Sequence, residues 1–327
     1  MSSRTLLFTS TVAAPFIDED LSLLRRHIRV DHVSGSGFRA IASILTRLPR
    51  AQITYTWFAS VYAAVTVGLA RLLRKPSIVV VGGVDVARLP DLGYGLWVSS
   101  WKGHFSRFAL RHAVRVLVVD PSLASRAREL AAYDGANIVW VPTGYDPDRW
   151  KPSGAKRRLV LTVAWCATTG RIHAKGIDFL CRAAARMPDV PFRLIGIEKD
   201  LEGYVRAFAP PNMEILPPLP RIELLAHYQE AKVYCQPSVS EGLPNCVCEA
   251  MLCEAIPVGT EVGGNPTAIG EAGHCVPYGD TDALCGAIGE SLSAPPETGA
   301  LSRKRIATEF TLARRDRALK TLLEELL

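Results

Sequence analysis

Glu241-Gly-Leu-Pro-Asn-Cys-Val-Cys-Glu249 places two carboxylates eight residues apart, with a Gly-Leu-Pro-Asn turn between them. Such a pair can do general acid–base work, or it can bind a polyol, because carboxylates accept hydrogen bonds from hydroxyls. An apolar run, Cys246–Ala255, reads as a helix, and helix-start amides donate to phosphate or hydroxyl oxygens. Before it, Val233-Tyr-Cys-Gln-Pro-Ser238 reads as a short buried strand. Strand, carboxylate loop and helix together suit a sugar-phosphate ligand.

A third group is Lys175, which with Gly176 precedes a helical stretch at Ile177–Arg186. A lysine on that turn would point into a crevice and neutralise a diphosphate, or would simply be solvated. Arg171, four residues earlier, is placed to assist. Glu249 has a plain reading too, since the helix dipole favours an acid in the first turn, and Glu241 could merely cap its turn. The three together point to a site more strongly than any one of them.

The elements that must position these groups alternate as strand and helix along the whole chain of 327 residues. In the first half, strands are expected at 5–10, 30–33, 53–57, 77–81, 114–119 and 138–141. Helices are expected at 38–46, 59–73, 102–112 and 122–133. The span Val141–Ser153 carries three prolines and a glycine and reads as a linker. Strands resume at 158–163, 192–195, 214–216, 233–236, 256–258 and 274–276, with helices at 177–186, 201–208, 222–230, 246–255 and 281–293. Residues 302–327 read as one continuous helix. The expected fold is α/β, with two doubly wound Rossmann-like domains facing across a cleft and ligands at the carboxyl ends of the strands. Domain limits are expected at 1–150 and 151–309, the helix from about 310 to 327 packing back on the first.

Composition bounds the alternatives. The chain is 48% hydrophobic and 21% charged, which is globular and not disordered. The apolar run at Met1–Ser10 is too short for a signal peptide. The uncharged stretch Ala51–Ala70 approaches a membrane span in length, but it contains Gln52, Thr54, Thr56, Ser60 and Thr66 and divides into a strand and a helix. All eight cysteines lie in the second half and read as reduced, buried thiols. Cys246, Cys248 and Cys253 have no further ligand at finger spacing, so no metal is expected. Residues 1–150 hold 18 Lys+Arg against 11 Asp+Glu, net +7, and the remainder 20 against 21, net −1, which points the first half toward an acidic partner or an anionic surface. His104, Arg107, Arg111 and Arg115 recur at helical spacing with Trp101, Phe105 and Phe108 among them. That is either a face for the membrane surface or an ordinary cationic helix face. No nucleic-acid motif accompanies the charge. No Gly-x-Gly-x-x-Gly follows a first strand in either half, which disfavours a nicotinamide dehydrogenase.

Ser238–Met251 resembles the Glu-x7-Glu signature of family 4 retaining glycosyltransferases, which have the GT-B architecture. Val141-Pro-Thr-Gly-Tyr-Asp146 is similar to that family's interdomain segment, Lys175-Gly176-Ile-Asp to its phosphate-binding lysine motif, and Pro257–Pro266 to the strand and glycine loop after the signature helix. The resemblance covers residues 141 to about 285. It implies a retaining, metal-independent sugar transfer from a nucleotide diphosphate sugar to a hydroxyl of a lipid-linked or glycan acceptor, with no cofactor. It implies that Glu241 holds donor hydroxyls, that Gly242, Leu243, Pro244, Asn245 and Cys246 surround sugar and phosphate, that Glu249 takes the ribose and that Lys175 neutralises the leaving diphosphate. The base is expected near Gly196 and residues 216–218. The chain departs from the family in having Val163-Ala-Trp165 where an arginine is usual, which leaves Arg171 as a substitute, and in having no glycine in the loop after the first strand. Asp85 stands where a histidine is common, either facing the acceptor or capping a turn. A nucleotide-sugar epimerase and a non-catalytic nucleotide-sugar-binding subunit are the alternatives. The expected location is cytoplasmic, with peripheral contact at the inner face of the membrane as an option.

Overall fold

A computed structural model describes residues 4–327; Met1–Ser3, the start of the segment weighed above as a signal peptide, lie outside the described residues. The chain divides into two compact units, one comprising the residues up to Gly144 together with Leu312–Leu327, the other Tyr145–Thr311.

The first unit runs β1 (Thr5–Ser10), α1 (Pro15–Arg25), β2 (Arg29–Ser34), α2 (Phe38–Arg47), β3 (Ile53–Trp57), α3 (Val61–Leu72), β4 (Ser77–Val81), α4 (Ser100–His112), β5 (Arg115–Val118), α5 (Pro121–Ala131) and β6 (Ile138–Trp140). Its six strands are parallel in the order β2-β1-β3-β4-β5-β6. The interior strands β3 and β4 are buried at every residue, as expected of a parallel sheet covered on both faces. The stretch Ala51–Ala70 is thus β3 and most of α3, and no helix of the described residues is long and apolar enough to cross a membrane.

The second unit runs β7 (Arg157–Cys166), α6 (Thr169–Ala174), α7 (Ile177–Ala185), β8 (Phe192–Ile197), α8 (Lys199–Arg206), β9 (Met213–Leu216), α9 (Arg221–Glu230), β10 (Ala231–Gln236), α10 (Asn245–Leu252), β11 (Ile256–Thr260), α11 (Asn265–Ile269), β12 (His274–Val276), α12 (Thr281–Ser293) and α13 (Pro296–Glu309). The sheet order is β12-β11-β10-β7-β8-β9, again parallel, so the order reverses between β7 and β10. In a doubly wound sheet that reversal opens a crevice at the carboxyl ends of the two strands.

Two expectations need correction. Pro15–Arg25, left without an element above, is a helix; Pro15 sits at its first position, where a missing N–H costs nothing, and Ile17, Leu21 and Leu24 recur on its buried face. Residues 302–327 are not one helix. The chain leaves helical geometry at Phe310 (φ −121°, ψ 48°), whose ring is buried and whose carbonyl accepts from the Tyr145 amide at 2.8 Å. It then enters α14 (Leu312–Leu326), which belongs to the first unit. The proline-rich span after Val141 holds the boundary between the two units, at Gly144 and Tyr145, and Val141, Thr143 and Tyr145 within it are buried.

Within the first unit α14 is held to α1 by a buried ion pair. Asp20 accepts from the Arg315 guanidinium (Nη2–Oδ2 2.6 Å), from the Tyr55 hydroxyl at 2.7 Å and from the Trp57 indole at 2.9 Å. Arg315 Nη1 donates to the carbonyls of Val141 and Pro142 at 2.9 and 2.8 Å. A buried pair persists when its remaining donors and acceptors are met in this way.

Candidate functional site

The loops that leave β7 and β10 meet at the reversal point of the second sheet. After β7 the chain forms α6 and ends it at Lys175, then turns at Gly176 with φ +65°. A Cβ at Gly176 would stand 1.9 Å from the Pro237 carbonyl oxygen, so only glycine lets this turn lie against the chain leaving β10. The Val239 amide donates to the Ala174 carbonyl at 2.9 Å and staples the two loops together.

That staple brings Lys175 Nζ to 2.5 Å from Glu241 Oε1, in a pair with little solvent exposure on either side chain. The same oxygen accepts from Gln236 Nε2 at 2.8 Å and Ser238 Oγ at 2.7 Å. Gln236 Oε1 in turn accepts from the Tyr234 hydroxyl at 3.0 Å, and Tyr234 reaches the Val163 backbone on β7. Among the described residues no donor meets the other carboxylate oxygen, Oε2. The Glu241 carboxylate is therefore fixed through one oxygen and can offer the second.

Beneath it, Gly263 (φ +54°) and Gly264 let the chain after β11 pass close: added Cβ atoms would stand 2.1 Å from the Glu241 carbonyl and 2.4 Å from that of Gly242. The Gly264 amide donates to Gly242 O at 3.0 Å, and Thr260 Oγ1 donates to Ser238 O at 2.6 Å. Leu243 and Pro244 are buried and lead into α10, whose first i→i−4 bond is from Cys248 to Pro244. The earlier amides, including those of Asn245 and Cys246, form the open positive end of the helix. Asn245 Oδ1 accepts from the Tyr145 hydroxyl at 2.7 Å. Burial, reinforced by Glu249, raises the half-buried Cys246 thiol to about 11, so it stays protonated.

Glu249 is buried in α10. Its Oε1 accepts from Arg221 Nε at 3.0 Å and Nη2 at 2.7 Å, and its Oε2 from the Tyr228 hydroxyl at 3.2 Å. The Arg221 guanidinium lies 5.0 Å over the Trp150 ring, which meets Tyr228 edge-on. Burial, chiefly, drives the Tyr228 hydroxyl well above its ordinary range, so it remains a donor. Any further group on Glu249 shares it with these two.

Arg171 lies on α6 one turn before Lys175. Its guanidinium stacks 4.7 Å from the Trp165 ring, and Nε donates to the Trp165 carbonyl at 3.1 Å. No carboxylate pairs with it among the described residues. Trp165 itself is 54% exposed and anchored by its indole N–H to Glu198 at 2.8 Å. It projects because β7 bulges between Val163 and Cys166, and Gly196 (φ +114°) makes room, since a Cβ there would stand 2.4 Å from the Ala164 carbonyl.

Asp85 belongs to the first unit and is fully buried. Its carboxylate accepts from the amides of Ala59 at 2.9 Å, Gly82 at 3.1 Å and Gly83 at 2.9 Å. It organises the turn after β4, which is the turn-capping role of the two considered for it. Sequence reading passed over Gln236, Ser238 and Arg221. Gln236 had a signal, a polar residue ending an apolar strand; Arg221 had none, because its partner is 28 residues away.

Residues 164–294 match the family model of the glycosyl transferases, group 1. An alpha-maltose-1-phosphate synthase from Mycolicibacterium smegmatis is 29% identical over 294 residues, 79% of this chain and 74% of that protein. The chain spans about half the length of several further relatives, D-inositol 3-phosphate glycosyltransferases among them. A sucrose-phosphate synthase structure from Thermosynechococcus elongatus aligns with a TM-score of 0.80 at 15% identity, over 99% of both chains. HepE from Anabaena, solved with UDP and glucose, aligns with a TM-score of 0.80 at 14% identity, over 99% of this chain and all of that one. At such identities the likeness is one of fold, and that fold is GT-B.

Proposed function

We propose that the protein, whose residues 164–294 match the family model of the group 1 glycosyl transferases, moves a sugar from a nucleotide diphosphate sugar to a hydroxyl of a lipid-linked or glycan acceptor, with retention of configuration. The observation that carries this reading is the Lys175–Glu241 pair beside the open amino end of α10 at the sheet's reversal point. A cation and oriented amides suit a departing diphosphate, and a fixed carboxylate with one unused oxygen suits sugar hydroxyls.

In this reading the bond between the anomeric carbon and the diphosphate oxygen breaks, a bond to the acceptor oxygen forms on the same face, and the acceptor proton leaves with the diphosphate. Lys175 and Arg171 balance the charge that grows on the leaving group, helped by the amides of the Gly242–Cys246 segment. Glu241 holds donor hydroxyls through Oε2. Glu249, set by Arg221 and Tyr228, takes the ribose, and the backbone near Gly196 meets the base. These groups supply the positive charge that a metal supplies elsewhere, so transfer is expected to need neither metal nor cofactor.

The test is nucleotide diphosphate release across a panel of nucleotide sugars, with and without candidate acceptors and with EDTA present. Release that depends on an acceptor and yields a glycoside supports transfer. Conversion of the donor sugar without an acceptor would identify an epimerase, and donor binding with no turnover would identify a binding subunit.

A further inference from the structure

One face of the first unit carries large apolar side chains in water. On α4, Trp101, Phe105 and Phe108 follow one another at i, i+4 and i+7, which puts them on one stripe of the helix. They are 57%, 40% and 38% exposed. The rings of Trp101 and Phe105 meet edge to face at 6.1 Å. Phe108 packs over Gly68 of α3, where an added Cβ would touch its ring at 3.6 Å. Leu72, one turn further along α3 on the same face as Gly68, is 77% exposed and prolongs the stripe. At the far end His112, tilted against the Phe108 ring, bonds to Arg71 Nη1 at 3.0 Å and ties the two helices side by side.

The two helices that carry this stripe bear charge of one sign. Neither α3 nor α4 contains an acidic residue. Lys102, Arg71 and Arg111 are exposed beside the rings, Lys102 lying 5.7 Å from the Trp101 centroid. Two cations considered with this face from sequence are not part of it. Arg107 turns inward to the Leu130 carbonyl and the Trp97 ring, and Arg115 lies at 4.0 Å from Glu325.

We propose that the α3–α4 face docks on an anionic phospholipid bilayer, with Trp101, Phe105, Phe108 and Leu72 entering the headgroup boundary and Lys102, Arg71 and Arg111 meeting lipid phosphates. Aromatic rings favour the interfacial layer, and a purely cationic rim selects anionic lipid over neutral lipid. A protein partner of ordinary mixed surface offers a poor match to two helices that carry cations and no acids. This inference does not depend on the sugar-transfer reading, and the two fail separately.

The test is co-sedimentation of the full chain with vesicles of phosphatidylcholine alone and of phosphatidylcholine with about one-third phosphatidylglycerol, at low and high salt. Binding to the phosphatidylglycerol vesicles only, weakened by salt and lowered by at least about tenfold in Trp101→Ser/Phe105→Ser, is expected. Lys102→Glu/Arg111→Glu should act the same way, with unchanged unfolding midpoints and unchanged nucleotide release toward a soluble acceptor. Equal binding to both vesicle types, or binding indifferent to these substitutions, overturns the proposal. So does a concentration-dependent dimer, seen by sedimentation velocity, that the Trp101→Ser/Phe105→Ser variant abolishes, because the face would then serve a second copy of the chain.

Discussion

Lys175 and Glu241, 66 residues apart in sequence, share a 2.5 Å contact in which Glu241 Oε1 also takes donors from Gln236 and Ser238 while Oε2 takes none among the described residues. The pair is shielded enough from water for its charges to matter to each other, and it stands where the loops leaving β7 and β10 meet. The ammonium is held against a carboxylate that has neutral donors of its own, so a diphosphate can draw on the lysine without leaving Glu241 unsolvated.

Replacing the lysine should therefore damage turnover more than folding. Lys175→Ala is expected to lower nucleotide release by about 10²–10³-fold, the usual scale for losing one group that stabilises developing negative charge. Lys175→Arg should recover part of it. Steady-state release assays measure this, and an unchanged kcat in Lys175→Ala would remove the residue from the chemistry.

Glu249 and Arg221 separate structure from binding. Cutting one partner from a buried pair leaves a charge without compensation and costs about 3–5 kcal/mol. Glu249→Ala should thus lower the denaturant midpoint strongly. The double variant Glu249→Leu/Arg221→Met should regain much of the stability but not nucleotide affinity. Calorimetric titration with UDP, GDP and ADP gives the second readout; full affinity in the double variant would take Glu249 out of the nucleotide site.

Gly263→Ala tests the floor beneath Glu241. Its φ of +54° and a Cβ position 2.1 Å from the Glu241 carbonyl force the loop to move. A loss of about 1–3 kcal/mol in stability is expected, with a larger proportional loss in release than in folded fraction. Gly154→Ala is the control, at a similar φ of +67° with nothing within 4 Å; it should cost backbone strain alone and leave release intact.

Lys156 gives a pH signature. Burial, partly offset by Cys253 and Glu254, lowers it from 10.5 to about 8, and Nζ donates to the Tyr228 carbonyl at 2.8 Å. Between those two values the unfolded chain holds the proton and the folded chain has released it, so stability rises with pH across that window. Below about 8 both states are charged and the folded state carries the full burial cost. The stability difference between wild type and Lys156→Met should therefore shift in favour of wild type from pH 8 toward 10.5, as urea melts at several pH values would read.

Much of this protein is local and so was legible from the chain alone. The twelve strands of the described residues lie close to where they are expected, most plainly the interior β3 and β4, because a strand buried on both faces must be rich in apolar and β-branched residues. The site segment from Ser238 to Glu249, with Lys175 on its turn, is likewise written in short spacings. Three features were decided only by tertiary structure. The register between β7 and β10 and the glycine contact at Gly176 brought Lys175 onto Glu241. The packing of Phe310 and Tyr145 split the last helical run in two. The fold at the turn after β4 buried Asp85 against three amides. Each depends on groups far apart in sequence, and the free energy of burying a polar side chain is set by whichever partners the fold delivers, which no spacing along the chain records.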